Sequence, residues 1–294
     1  MKPIVFTDLD GSLLNHEDYS FEAAQPALNL LQRKKIPVIP NTSKTMAELL
    51  PLRTLIANND PFIVENGAAI YIPVGYFLSQ PKETKKIEYQ GQQFWQYSKA
   101  YPRSHWQEMI DRLHWKNTND YLGFDQMGIS GILKHTGLRL EDAMLANERA
   151  FSEPLLWLGK QQDKKEFIAS VKSLGAEVVE GGRFLHIIDP STDKASAMNQ
   201  LIEIFKEANN QDTLCSIALG DSSNDISMLN AADYAAVIRS PSHSRPSLSR
   251  QENTYISSDF GPCGWNQVIQ MILLENFQEN EKNNRQYIIF TGQK

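Results

Sequence analysis

Cysteine is nearly absent from this chain: two among 294 residues, Cys215 inside an apolar run and Cys263 in a Gly-Pro turn. Two thiols in unrelated contexts exclude a disulfide framework and a cysteine metal site, so both are expected to be reduced. No long run of Lys and Arg occurs, and the formal net charge is -6 with a pI near 5.6. That excludes a dedicated nucleic-acid surface and points to a small-molecule partner. No apolar stretch approaches the ~20 residues needed to span a bilayer. The apolar opening at residues 3–6 is also far shorter than a secretory signal core, so a cytoplasmic protein without membrane attachment is expected. What is present is ordinary: 41% hydrophobic and 22% charged residues, the balance of a globular chain long enough for a main domain and a smaller one.

Residues 3–8 form a β-branched and aromatic run that ends in Asp8-Leu9-Asp10-Gly11, the pattern of a buried strand delivering carboxylates at its C-terminal end. Residues 21–35 place Ala24, Leu28 and Leu31 at helical spacing, and an apolar run at 36–40 follows. A helix at 45–57 and a short strand at 61–64, closed by Glu65-Asn66-Gly67, continue the alternation. The pattern predicts an α/β fold with a doubly wound parallel sheet, whose ligands lie at the carboxyl ends of the strands. From about residue 84 the texture changes to aromatics around 94–106, polar helices, and strands near 155–158 and 177–179. The doubly wound pattern resumes near residue 193, with a helix at 195–208 and a strand at 216–219. The expected division is a discontinuous core of residues 1–83 and 191–275, an inserted α+β lid at 84–190, and a polar tail at 276–294. Tyr287-Ile288-Ile289-Phe290 in that tail reads either as a stray strand or as a disordered end.

Asp8 and Asp10 share one strand end, and Gly11 lets the backbone turn sharply there. Gly220-Asp221-Ser222-Ser223-Asn224-Asp225 follows another apolar strand, so a second acidic loop is expected at the same sheet edge. Either loop alone reads as an Asx-rich turn; together they place four carboxylates around one space. Such a cluster repels itself and a phosphate dianion unless a cation is bound, and oxygen ligands with room for water and phosphate suit Mg2+.

Asp8-Leu9-Asp10-Gly11-Ser12-Leu13-Leu14, Thr42 after a strand, Lys194 before a helix, and Gly220-Asp221-x-x-Asn224-Asp225 resemble, in order, the four motifs of the haloacid-dehalogenase-like phosphatases. The resemblance implies a Rossmann-like core with an inserted cap, the lid. It makes Asp8 the nucleophile, Asp10 the acid and base, and Thr42 and Lys194 the holders of phosphoryl oxygens. Mg2+ would be held by the Asp8 side chain, the Asp10 carbonyl and Asp221, with Asp225 either a direct ligand or a support behind it and Asn224 orienting the group. Ser12 stands where the family more often has Thr, and Ala195 where Gly is common. Pro40 and Asn41 are less apolar than a usual strand end.

A closer likeness, over about residues 3–265, is to the mannosyl-3-phosphoglycerate phosphatases. It is carried by Thr42-Ser43-Lys44-Thr45, Glu65-Asn66-Gly67-Ala68, Ser152-Glu153-Pro154 and Gly181-Gly182-Arg183-Phe184-Leu185-His186. It implies a substrate with a sugar on a 3-phosphoglycerate. Ser43, Lys44, Arg183 and His186 are then candidates around that substrate, with Lys44 and Arg183 for its carboxylate. Taken alone, Arg183 is equally a turn residue, and Glu65 and Asn66 either bind sugar hydroxyls or close a turn. A broader sugar-phosphate or glucosyl-3-phosphoglycerate phosphatase is the alternative within enzymes. A non-catalytic regulatory protein on the same scaffold is the alternative outside them, opposed by the intact Asp8, Asp10 and Asp221. Oligomeric state is not legible in the sequence.

Overall fold

The computed structural model describes residues 1–181, 184–210 and 213–277. Strand β1 (Lys2–Thr7) leads through helix α1 (Gln25–Arg33) to β2 (Val38–Pro40), and α2 (Met46–Leu55) then leads to β3 (Phe62–Val64). Strands β4 (Ala69–Pro73), β5 (Lys85–Tyr89) and β6 (Gln92–Tyr97) follow. Next come α3 (Arg103–Asp111), β7 (Tyr121–Gly123), α4 (Phe124–Thr136), α5 (Leu140–Asn147), β8 (Glu153–Trp157), α6 (Gln161–Ser173), β9 (Glu177–Gly181) and β10 (Phe184–Ile188). The chain closes with α7 (Lys194–Asn209), β11 (Leu214–Gly220), α8 (Ile226–Ala231), β12 (Tyr234–Arg239), β13 (Thr254–Phe260) and α9 (Gly261–Asn276).

Five strands form the central sheet in the order β13-β12-β11-β1-β2, every pair parallel. Side chains alternate across it, as a period of two requires. Ile4 and Phe6 pack with Ala218, Met198, Leu201 and Leu229 on one face, whereas Val5, Ile217 and Leu219 pack with Leu31, Trp265, Val268 and Ile269 on the other. A parallel sheet covered on both sides explains why β1 and β11 are continuous apolar runs.

Two further sheets lie outside the parallel one, and the first departs from the reading of the sequence. Residues 61–64 were expected to join the parallel sheet; β3 touches it through one parallel bridge, Asn41 to Ile63, and otherwise pairs antiparallel with β4. β3, β4, β6 and β5 make a four-stranded antiparallel sheet, so residues 85–97 pair with strands of the first segment although the texture changes at 84. Strand pairing outweighs local composition there: Phe94 lies edge-on against Phe62 and Tyr71 at ring separations of 5.7 and 6.3 Å.

The third sheet, β7-β8-β10-β9, is antiparallel and belongs to the inserted segment. Leu155, Leu185 and Ile187 pack on α3 and α6 around Trp106 and Phe167; Leu156 and Phe184 pack on α4 and α5 around Phe124. The two crossings between core and insert are tied together, since Asp189 Oδ2 accepts from the Tyr101 amide at 3.2 Å. Arg183 and Tyr287-Ile288-Ile289-Phe290 lie outside the described residues. Among the described residues no helix is long and apolar enough to cross a membrane.

Candidate active site

Three strand ends meet at one rim of the parallel sheet. The Asp8 amide donates to the Leu219 carbonyl at 2.9 Å and the Asn41 amide to the Thr7 carbonyl at 2.8 Å. The ladder thus runs one residue beyond β1 and β2 and sets Asp8, Thr42 and Asp221 side by side. Asn41, too polar for an ordinary strand end, is fully buried, and its Nδ2 donates to the Lys194 carbonyl at 2.9 Å. Close approach needs glycine at two points. A Cβ on Gly11 (φ +79°) would stand 2.5 Å from Asp221 Oδ2, and one on Gly67 (φ +97°) 2.1 Å from the Asp193 carbonyl oxygen.

Lys194 opens α7, whose cap, Asp193, accepts from the Ser196 amide at 2.7 Å. Its wholly buried ammonium donates to Asp8 Oδ1 and Asp225 Oδ1, both at 2.6 Å. Burial opposes that charge, but Asp225 and Asp8 outweigh it and hold the lysine above its ordinary range. Asp225 spends its other oxygen on the amides of Asp221 (3.1 Å) and Ser222 (3.0 Å). Asn224 does not reach the carboxylates: its Nδ2 donates to Asn66 Oδ1 at 3.1 Å. That bond ties the acidic loop to the turn after β3.

Asp8, Asp221 and Asp225 are buried and each offers an oxygen within 4.8 Å of the others. Burial, with Asp225, Asp221 and Asp10 adding to it against the pull of Lys194, raises the Asp8 carboxyl well above the carboxylate range. Burial and then Asp225 push Asp221 up to about 7. With Asp10 there are four carboxylates against two lysines, which leaves a surplus of negative charge. Hard oxygen donors carrying such a surplus fit a divalent cation of the Mg2+ kind.

Asp10 pairs with Lys44 at 3.0 Å, and Lys44 Nζ sits 4.9 Å from the centre of the Tyr19 ring. Burial weighs against the Lys44 charge, but Asp10 and Glu48 outweigh it and raise the group. Thr42 is fully buried; its hydroxyl oxygen accepts from the Lys44 amide at 3.2 Å, which leaves its O–H free to donate.

Glu65 corrects one sequence expectation. Its carboxylate accepts from the Ala150 amide (2.8 Å), the Phe151 amide (3.1 Å) and the Ser152 hydroxyl (2.6 Å), with Arg149 Nε at 3.7 Å. Both oxygens accept from the insert and the residue is only 1% exposed, so its place is the tie to residues 150–152 and not a sugar hydroxyl. Glu65 and Asn66 hold left-handed backbone, φ +49° and +59°, a strain that such a network can maintain. Among the described residues Asn66 Nδ2 and His186 Nδ1 are buried with no hydrogen-bond partner. His186 lies on the sheet face shared with Phe184; burial, and secondarily Arg149, lower it to about 3. It is a neutral ring there and offers hydrogen bonding, not charge.

Sequence reasoning missed two residues. Arg149 donates through Nη2 to the Ser43 carbonyl at 2.5 Å and through Nε to Ser152 Oγ at 2.9 Å. His243 places Nε2 3.0 Å from Asp221 Oδ2. Each stands in a polar stretch with no periodicity, where nothing local distinguishes it from a solvated side chain.

This geometry accords with a family match: residues 5–245 fit the haloacid dehalogenase-like hydrolases, and the chain belongs to that family. Two curated relatives narrow the comparison. Proteins of Methanococcoides burtonii and Persephonella marina, each named glucosyl-3-phosphoglycerate/mannosyl-3-phosphoglycerate phosphatase, are 34% identical to this chain over 277 and 273 residues. The matches cover 94% and 92% of this chain and 99% and 97% of theirs. Among solved structures, SMU.1108c from Streptococcus mutans (TM-score 0.63, 18% identity, 93% of this chain and 100% of that one) shares the fold. So does the sucrose-phosphatase of Synechocystis (TM-score 0.58, 12% identity, 92% and 98%).

Proposed function

We propose that this protein is a Mg2+-dependent phosphatase that removes the phosphate of a glycosyl-3-phosphoglycerate through an aspartyl-phosphate on Asp8. The carrying observation is the buried Asp8–Lys194–Asp225 array, in which a fixed ammonium holds one oxygen of a carboxylate at the rim of a parallel sheet. The names of the two relatives support both the mannosyl and the glucosyl substrate. A cytoplasmic setting accords with the free thiols of Cys215 and Cys263.

Asp8 attacks phosphorus, the bond to the glycerate oxygen breaks, and Asp10 gives its proton to the departing alkoxide. Asp10 then takes a proton from water, which attacks the same phosphorus and frees Asp8 and inorganic phosphate. Lys44 steadies Asp10 between the two proton transfers, and the Thr42 hydroxyl donates to a phosphoryl oxygen. Asp8, Asp221 and the Asp10 carbonyl would hold Mg2+, with Asp225 supporting from behind; the ion supplies charge neutralisation at the transferring group. Residues 98–192 act as the lid, and Asn66, His186, Lys44 and Arg183 are the candidates that read the leaving group. With His186 neutral, the carboxylate falls to the cationic side chains.

The test is phosphate release from mannosyl-3-phosphoglycerate, glucosyl-3-phosphoglycerate and simple sugar phosphates, with Mg2+ or EDTA, for the wild type and Asp8→Asn. Release that requires Mg2+ and Asp8 and favours the glycosyl phosphoglycerates is expected. Equal release from every sugar phosphate would refute the substrate, and no turnover would refute the enzyme.

A further inference from the structure

The segment after β12 runs Ser240-Pro241-Ser242-His243 and is largely exposed, yet it is pinned at its far end. Arg250 donates to the Ala232 carbonyl and to the Asp233 carbonyl (2.9 Å), and the Ser249 amide donates to Asn230 Oδ1 at 3.0 Å. From this loop one ring turns inward. His243 Nε2 lies 3.0 Å from Asp221 Oδ2, and Nδ1 lies 3.2 Å from the Ser244 carbonyl. The His243 side chain is 36% exposed and that of Asp221 only 3%, so the ring closes the solvent side of a buried carboxylate.

Asp221 has little else to fix its orientation. Ser12 Oγ reaches Oδ1 only at 3.5 Å, and among the described residues no other side chain hydrogen-bonds this carboxylate. Gly11 packs its backbone closely against it but offers no side chain to bond it. We infer that His243 is a positioning residue that clamps Asp221 by Oδ2 and thereby tightens the binding of a divalent cation. This rests on the reading of Asp221 as a ligand to the ion. A ligand carboxylate clamped by an outer partner loses less freedom on binding, and removal of such partners typically weakens metal affinity about 10- to 100-fold. If His243 instead competed with the ion for Oδ2, its removal would tighten binding, so the sign of the effect separates the two.

Calorimetric titration of Mg2+ into the wild type, His243→Ala and His243→Gln, with melting temperatures in EDTA, tests this. Expected is a roughly 10- to 100-fold rise in the Mg2+ dissociation constant for His243→Ala. Partial recovery is expected in His243→Gln, whose amide can still donate to Oδ2, with melting in EDTA close to the wild type for both. Mg2+ binding by His243→Ala that is as tight as the wild type, or tighter, would overturn the inference. A wild type that binds no Mg2+ would instead remove the cation reading of Asp221, and this inference with it.

Discussion

Replacing Asp221 with Asn should make the metal-free protein more stable at neutral pH while abolishing its response to Mg2+. Asp221 is raised from an ordinary 3.8 to about 7, by burial first and Asp225 next. A carboxyl whose folded value exceeds its unfolded one contributes stability in full below the unfolded value and loses it as pH climbs through the folded one. The wild type in EDTA should therefore weaken between about pH 4 and pH 7 by up to roughly 4 kcal/mol, at 1.36 kcal/mol per pKa unit, shared between Asp221 and the carboxylates that titrate with it. Asn cannot ionise, so the variant escapes that loss and gains on the wild type by about the same amount across the window. Urea unfolding at pH 4, 5, 6, 7 and 8 in EDTA, then repeated with Mg2+, measures it. Wild-type stability should recover with Mg2+ at pH 8, and that of the variant should not change. A variant no more stable than wild type at pH 8 in EDTA would refute the claim that uncompensated carboxylates strain the site.

Glu65→Ala strands three donors and the buried Arg149 guanidinium; a loss of about 3–5 kcal/mol and a raised KM are expected. Thermal unfolding and steady-state kinetics check both, and a change under about 1 kcal/mol would show that this carboxylate does not hold the insert. Gly67→Ala should cost at least about 3 kcal/mol, because a side chain at φ +97° would also meet the Asp193 carbonyl oxygen. The same displacement moves Lys194, so turnover should fall with stability; full activity in a well-folded Gly67→Ala would contradict that coupling.

The candidate chemistry-bearing set was legible in the sequence through its resemblance to the four motifs of the family. Asp8, Asp10, Thr42, Lys194, Asp221 and Asp225 follow apolar strands or open helices, and a parallel sheet places every such strand end on one edge. Their places at element ends are legible because short-range pattern dictates the elements: continuous apolar runs for β1 and β11, and helical spacing after residue 193 for α7. The partition of the middle of the chain was not legible. Residues 85–97 join β3 and β4 through pairing between segments distant in sequence, which local composition does not encode. The roles of Glu65, His186, Arg149 and His243 were likewise set only by tertiary structure. Glu65 looks like a turn residue until three donors from residues 150–152 close on it. His186 could carry charge until burial removes it, and His243 belongs to an ordinary Ser-Pro loop until folding brings its ring to Asp221. What the sequence fixes is which groups stand at the end of each element; which groups then meet across elements depends on packing, where burial and long-range contact decide charge, partner and use.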